Sequence, residues 1–362
     1  MLKYPSLTKE RLAEALKPYT KIFGSSKPKK LPEEKGFKVA APTLPTLNTK
    51  RDNGIIRLDG VVKKFGKNLV LNGVNLEIKP GEILGIIGTN GSGKTTILKT
   101  IIGFYKPNKG IVNFKGHNIR KISEDMRLSF GFASQDNSFY GKLNVQENIK
   151  YFGELYGLTD EFIDTHMDNL LKLVDLYTAK RTLGENLSNG MKRRLDIACA
   201  LIHDPVVLIL DEPTQDLDPA LRKDMLKLIK KINENGTTVI MTSHLLWEVE
   251  ALCDRIAILA EGRILQIGTP SQLKQAYSKN DEIHLETYPG KYDKLLKGVR
   301  NLKRVVKNEH SVLLYTPDAE KVLHRILTNV ERNKEKLIQV SVRKPSLDEV
   351  FSSILEKNAT KV

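Results

Sequence analysis

The chain is poor in cysteine: its 362 residues include only Cys199 and Cys253, both inside apolar-periodic segments. That excludes a disulfide framework or a cysteine metal cage, and the two read as buried thiols of a reducing compartment. Long apolar runs are lacking as well. No stretch approaches the roughly eighteen residues needed to cross a bilayer, and no signal-peptide core follows Met1. The expectation is a soluble, cytoplasmic protein. What the chain does have is the length for two domains and, at 40% hydrophobic residues, the ordinary apolar content of a globular core.

Charge is unevenly spread. Of the net +15, residues 1–53 carry +7 (12 basic, 5 acidic) and residues 271–362 carry +6 (18 and 12), leaving +2 (28 and 26) for residues 54–270. A nearly neutral centre with basic flanks would meet an acidic surface through its ends. Those flanks lack interleaved aromatics, so they offer no stacking platform for single-stranded nucleic acid.

The chain divides into three segments. In residues 1–53, Leu12, Leu16, Tyr19 and Phe23 are spaced as one face of a short helix. A Pro- and Lys-rich stretch from Gly24 then reads as a tether. This segment is either a docking element for anionic lipid or a partner, or a loosely packed helix on a linker. Residues 54–270 alternate strand-like and helix-like patterns, which predicts an α/β domain with a largely parallel sheet. EILGIIG and VVLILD are continuous apolar runs suited to strands covered on both faces, and TTVIMTSH and RIAILAEGRI supply further strands. A helical subdomain over about 140–200 interrupts the alternation, with Ile149, Phe152 and Tyr156 on one face and Leu170, Leu171 and Val174 on another. Residues 271–362 form a C-terminal accessory domain. Within it, residues 281–343 read β-α-β-β-α-β, a ferredoxin-like α+β unit whose long helix carries Ala319, Val322, Leu323, Ile326, Leu327 and Val330 on one face. Its histidines, His284, His310 and His324, are scattered and read as structural or surface residues.

The chemistry lies in the middle segment. GTNGSGKTT runs Gly88, Thr89, Asn90, Gly91, Ser92, Gly93, Lys94, Thr95, Thr96, after a predicted strand and into a predicted helix. That is a P-loop in its required context. Glycines let successive N–H groups curl toward phosphate oxygens, and the helix start adds a favourable dipole. Lys94 would reach the β- and γ-phosphates, and the Thr95 hydroxyl would ligate Mg²⁺. Asp211 closes the apolar strand VVLIL, where a carboxylate reaches the ligand crevice of an α/β sheet and could hold the metal. Glu212, next in the chain, could take a proton from an attacking water; the alternative is that it merely neutralises a lysine.

P-loop and acid alone leave kinases, GTPases, helicases and other ATPases open. Over about residues 54–270 the remaining motifs resemble those of the ATP-binding cassette (ABC) ATPases, in order. Phe65 matches the aromatic that stacks on adenine, and Gln135 the Q-loop glutamine, which contacts the metal site and joins it to the helical subdomain. LSNGM, with Ser188, Asn189 and Gly190, resembles the signature sequence LSGGQ. Asp211 and Glu212 match the Walker B pair, Asp218 the D-loop aspartate, and His244 the switch histidine at the γ-phosphate. The resemblance implies a P-loop NTPase that binds ATP and Mg²⁺, and a signature that closes over the nucleotide of a second ATPase subunit.

Ser188 suits that role without being an acid, base or metal ligand. It would cap the helix MKRRLDIACALIH, whose start presents free N–H groups and about half a positive charge. The signature departs from the usual one in having Asn189 for glycine and Met191 for glutamine. Asn tolerates a left-handed backbone, so the turn is expected to survive, as a working and weaker clamp. The tail KPSLDEVFSSIL and the segment LSNGMKRRLDIA resemble those of ATPase subunits of exporters with a separate permease. The implied protein is a homodimeric exporter ATPase at the inner face of the cell membrane through transmembrane partners, with no nucleic acid expected. Two alternatives stand beside it: a soluble ABC ATPase using its basic flanks on ribosome or nucleic acid, and a regulatory module that binds ATP and rarely hydrolyses it.

Overall fold

The computed structural model describes residues 54–122, 124–277, 280–308, 310–343 and 351 of the chain. The N-terminal amphipathic pattern, its tether and most of the KPSLDEVFSSIL tail lie outside the described residues. The first part of the described chain runs β1 (Ile56–Phe65), β2 (Asn68–Ile78), β3 (Ile83–Ile87), α1 (Lys94–Ile101), β4 (Lys109–Phe114), β5 (His117–Asn118), β6 (Phe130–Ala133), α2 (Val145–Leu155) and α3 (Asp160–Leu173). Then come α4 (Asn189–Leu201), β7 (Val207–Leu210), α5 (Pro219–Glu234), β8 (Thr238–Ser243), α6 (Leu246–Leu252), β9 (Arg255–Ala260), β10 (Arg263–Gly268) and α7 (Pro270–Tyr277). The C-terminal unit holds β11 (Asp281–Tyr288), β12 (Arg304–Lys307), β13 (Val312–Thr316), α8 (Ala319–Arg332) and β14 (Lys336–Arg343).

The expected parallel sheet has the order β10-β9-β3-β8-β7-β6, parallel except for the β9–β10 hairpin. Its central strands are apolar without interruption because both faces are covered, and their period of two divides them between two cores. From β3, β7, β8 and β9, Ile83, Ile87, Leu208, Leu210, Val239, Met241, Ile256 and Ile258 face the core built with α2 to α6. The alternate residues Leu84, Ile86, Val207, Ile209, Ile240, Ala257 and Leu259 face α1 and a second sheet. Each fully buried Leu or Ile supplies about 1.5–3 kcal/mol of transfer free energy. A one-residue slip of any central strand would exchange its two sets between the cores.

That second sheet, antiparallel with order β2-β1-β4-β5, adds to the expected alternation of strands and helices. Its strands bury one face only: in β1, Ile56, Leu58 and Val61 point inward while most of the others are partly or fully exposed. Register shifts after Leu58, Val61 and Lys63 break the pattern further.

In the helical subdomain, Asn144 caps α2 with a reciprocal capping box to Glu147, and Thr159 caps α3. Ile149, Phe152, Leu170, Leu171 and Val174 are buried as their spacing predicts, and Tyr156 is half-buried. The C-terminal sheet has the order β12-β13-β11-β14, the ferredoxin-like arrangement, over a core of its own. There Val322, Ile326 and Val330 of α8 meet Ile283, Leu285, Val312 and Leu314. His284 is half-buried, and His310 and His324 are exposed. Cys199 and Cys253 are buried and unpaired, and burial pushes both thiols up. Among the described residues, no helix is long and apolar enough to cross a membrane.

Strand order brings the sequence motifs together. β3, β8, β7 and β6 are consecutive neighbours, so the segments leaving their carboxyl ends lie side by side. Those segments begin at Gly88, His244, Asp211 and Ser134.

Candidate active site

The loop from β3 to α1 needs its glycines. A Cβ on Gly88 would lie 2.4 Å from the Leu259 carbonyl oxygen, and Gly93 has φ 105°, a conformation that side chains resist. Gly93 is also the N-cap of α1 and makes no side-chain cap, so the helix start keeps its N–H groups for a ligand. Lys94, buried at 7% exposure, donates to the carbonyls of Gly88 (3.0 Å) and Thr89 (3.4 Å). The Ser92 hydroxyl is buried and has no partner.

A cavity of about 860 Å³ opens over this loop. Of the residues singled out in the sequence, Gly88, Thr89, Asn90, Gly91, Gly93, Lys94, Thr95, Thr96, Gln135, Glu212 and His244 line it. Glu212 sits between two of the functional groups. One carboxylate oxygen is 3.4 Å from the Lys94 ammonium, and the other accepts from His244 Nδ1 at 2.9 Å. The Glu212 backbone has φ 48°, rare for a side-chain-bearing residue, and its N–H donates to the Thr242 hydroxyl at 2.9 Å. That hydroxyl donates in turn to Asp211 Oδ1 at 2.6 Å, so one β8 side chain positions both acids.

Asp211 is buried at 2% exposure, beneath the cavity rather than on its lining. Thr95, Asp211 and Gln135 present hydroxyl, carboxylate and amide oxygens, the hard donors that Mg²⁺ takes. No group of three or more His, Cys, Asp or Glu forms a metal cage among the described residues.

Other candidates lie off this cavity. Phe65 is 42% exposed at the end of β1, edge-on to Tyr105 at 5.0 Å, with Lys63 4.8 Å from its ring centre. Ser188 is the N-cap of α4 and accepts from the Met191 N–H at 3.3 Å. Asp218 caps α5, accepting from Ala220 (3.0 Å) and Leu221 (2.9 Å). Gly190 lies against Leu221, where a Cβ would come within 3.2 Å, so the two helix starts are close. Asn189 corrects an expectation: it is the first residue of α4, and its φ is not positive. Its tolerance for left-handed backbone is therefore not used, because the turn ends at Ser188.

Sequence reasoning passed over several residues. Gln215, in the same QDLDP stretch as Asp218, lines the cavity and accepts from Gln135 Nε2 at 2.7 Å. Val70 and Phe351 also line it. Thr242 was visible only as a strand residue. Glu248, fully buried, accepts from the Thr214 and Ser243 hydroxyls (2.7 and 2.8 Å), tying the segment after Glu212 to the one before His244.

Known proteins resemble this chain in both of its described parts. Residues 71–215 match the family described as ABC transporter, and residues 268–354 match the family described as ATP-binding protein DrrA1-3-like, C-terminal domain. The linearmycin resistance ATP-binding protein LnrL of Bacillus subtilis is 32% identical over 305 residues, 83% of this chain and 98% of that protein. The Nod factor export ATP-binding protein I of a Rhizobium species is 35% identical over 298 residues, 82% of this chain and 95% of that protein. Among solved structures, cbiO1 from Clostridium perfringens, part of the ABC transporter complex cbiONQ, matches with a TM-score of 0.58 and 30% identity, covering 61% of this chain and 91% of that one. An ATP-binding cassette solved as a dimer in a post-hydrolysis state with ADP and Pi matches with a TM-score of 0.54 and 28% identity, covering 59% and 98%.

Proposed function

The chain belongs to the ABC transporter ATP-binding family, and from that premise we propose that it is the Mg-ATP-hydrolysing subunit of an exporter, driving a separate membrane-embedded permease. The observation that carries the reading is the convergence of Lys94, Glu212, His244 and Gln135 on one cavity beneath an uncapped helix start. The export assignment rests on the relatives, whose names are those of resistance and export proteins, and on the matching C-terminal family. A role on ribosome or nucleic acid has no such support. We take residues 54–270 as the ATPase domain and residues 271–362 as the accessory domain.

The chemistry follows from the residues. Backbone N–H groups of the Gly88–Thr96 loop hold the β- and γ-phosphates, with Lys94 neutralising their charge. Thr95, Asp211 and Gln135 would hold Mg²⁺, which when bound would supply positive charge to offset that of the phosphates. Glu212 orients a water and takes its proton as the water oxygen bonds to the γ-phosphorus; the bond to the β-phosphate oxygen breaks and ADP leaves. His244 fixes the Glu212 carboxylate and stabilises the transferring phosphoryl group. Phe65 stacks on the base.

Ser188, Asn189, Gly190 and Asp218 are absent from the lining of this cavity, yet their sequence resembles the signature and D-loop of the family. We assign them to the nucleotide of a second copy, so that two chains close head to tail around two nucleotides and open after hydrolysis. The working place is then the inner face of the membrane, through the permease. Steady-state ATPase assays test the chemistry. Glu212→Gln keeps size and removes basicity, and should lower turnover by about 10²–10⁴-fold; unchanged turnover would remove Glu212 from its role.

A further inference from the structure

The helix that carries the signature also grips the loop that carries Gln135. Arg193, one turn into α4, donates from Nη1 to the Ser134 carbonyl at 2.7 Å and from Nη2 to the Gln135 carbonyl at 2.9 Å. Asp196, one turn further, accepts the Ser138 N–H at 2.7 Å. Its other oxygen is 3.7 Å from Arg193 Nη1 and has no hydrogen-bond partner. The two side chains are 9% and 0% exposed. A buried ion pair with an unsatisfied oxygen is a poor source of stability, since apolar residues of similar size would do as well. What it supplies is geometry. A planar fork on two successive carbonyls and a carboxylate on a third residue fix the loop against the helix in position and direction. Ser188 stands five residues before Arg193 on the same helix, about 7.5 Å at the α-helical rise.

We propose that Arg193 and Asp196 are positioning residues, a strut that makes the Gln135 loop and the signature helix one lever, so that nucleotide engaging Gln135 re-aims Ser188. The inference rests on the proposed assignment of Gln135 to the nucleotide and goes beyond it in naming the connection within one chain. Burial raises the Asp196 carboxyl to about 6, against the Ser138 N–H, Arg193 and the Ser138 hydroxyl, which pull it down. The groups facing it are Arg193 and Cys199 of its own helix and the amide and hydroxyl of Ser138 in the loop. Near neutral pH the carboxylate is ionised and the strut complete; below about 6 it protonates and the strut slackens.

Hydrogen exchange on the full-length Glu212→Gln chain tests this, because nucleotide is then not consumed. The protein is kept dilute enough to remain monomeric by light scattering, and peptides covering residues 132–140 and 187–196 are followed with and without Mg-ATP. Both should respond together at pH 7.5. With Arg193→Met added, the first should still respond and the response of the second should fall at least threefold; Arg193→Lys should restore part of it. The response at 187–196, corrected for intrinsic exchange, should shrink between pH 7.5 and 5.5, and lose that dependence in Asp196→Asn. If Arg193→Met does not fold, Arg193→Lys and Asp196→Asn carry the comparison. An equal response at both peptides in Arg193→Met, with only a lowered melting temperature, would overturn the proposal, as would no response at 187–196 in the parent. A coupled response in a chain that never dimerises at any concentration would sustain the strut and instead refute the head-to-tail dimer.

Discussion

Two helices of this chain start beside glycine-containing turns, and they end up with opposite chemistry. α1 begins after Gly93 with no side-chain cap, a buried lysine as its first residue, and a cavity in front of it. α4 begins after Ser188, whose hydroxyl already accepts from Met191, and it does not line that cavity. An uncapped start leaves N–H groups that only a ligand or water can satisfy, so it belongs over a bound phosphate. A capped start can stand in solvent with one group satisfied and its dipole still available to a passing anion. On the proposed reading, the first holds a nucleotide within the chain and the second meets one from outside.

The largest effect should come from removing what the first start depends on. Lys94→Ala deletes the only lysine or arginine among the described residues lining the cavity. It should abolish turnover and weaken ATP binding, measured by titration with a fluorescent ATP analogue, by at least about tenfold. Retained tight binding would mean that the backbone alone holds the phosphates. Ser188→Ala should act on the other start: nucleotide binding to the single chain stays within about twofold while turnover drops, and loss of the cap costs about 0.5–2 kcal/mol by denaturant melt. If instead ATP binding to the monomer fell as far as in Lys94→Ala, the two helix starts would share one nucleotide and the contrast would be lost. The smallest effect concerns Asp196. Its carboxyl is raised to about 6 in the folded chain, so the fold binds that proton more tightly than the unfolded chain does. Its contribution is therefore greatest below the usual carboxylate range and is lost as pH rises through about 6. The melting temperature of Asp196→Asn relative to the parent should rise between pH 4.5 and 7; a flat difference would contradict it.

The P-loop could be read directly because its determinants are local: nine consecutive residues running from the end of a strand into a helix set glycines, lysine and hydroxyl together. The ferredoxin-like unit was legible because the apolar spacing of α8 and the alternation of β11 survive in one dimension. The sheet of β1, β2 and β4 was not, since register shifts after Leu58 and Val61 and a solvent-facing side blur the alternation. Contacts that tune the site were hidden for a different reason. Gln135 meets Gln215 across 80 residues, Thr242 meets Asp211 across 31, and Arg193 grips Ser134 across 59, pairings that arise only once the strand order is fixed. Asn189 shows the converse: a plausible local argument about left-handed turns had no turn to act on, because the helix had already begun.

The central claim is that the capped start of α4 works across an interface. Light scattering on full-length Glu212→Gln, with and without Mg-ATP, tests it most directly. The account predicts a monomer that becomes a dimer only when Mg-ATP is present, and that fails to do so when Ser188→Ala is added. A chain that binds ATP and stays monomeric would contradict it, and would place the second half of each site on a different subunit.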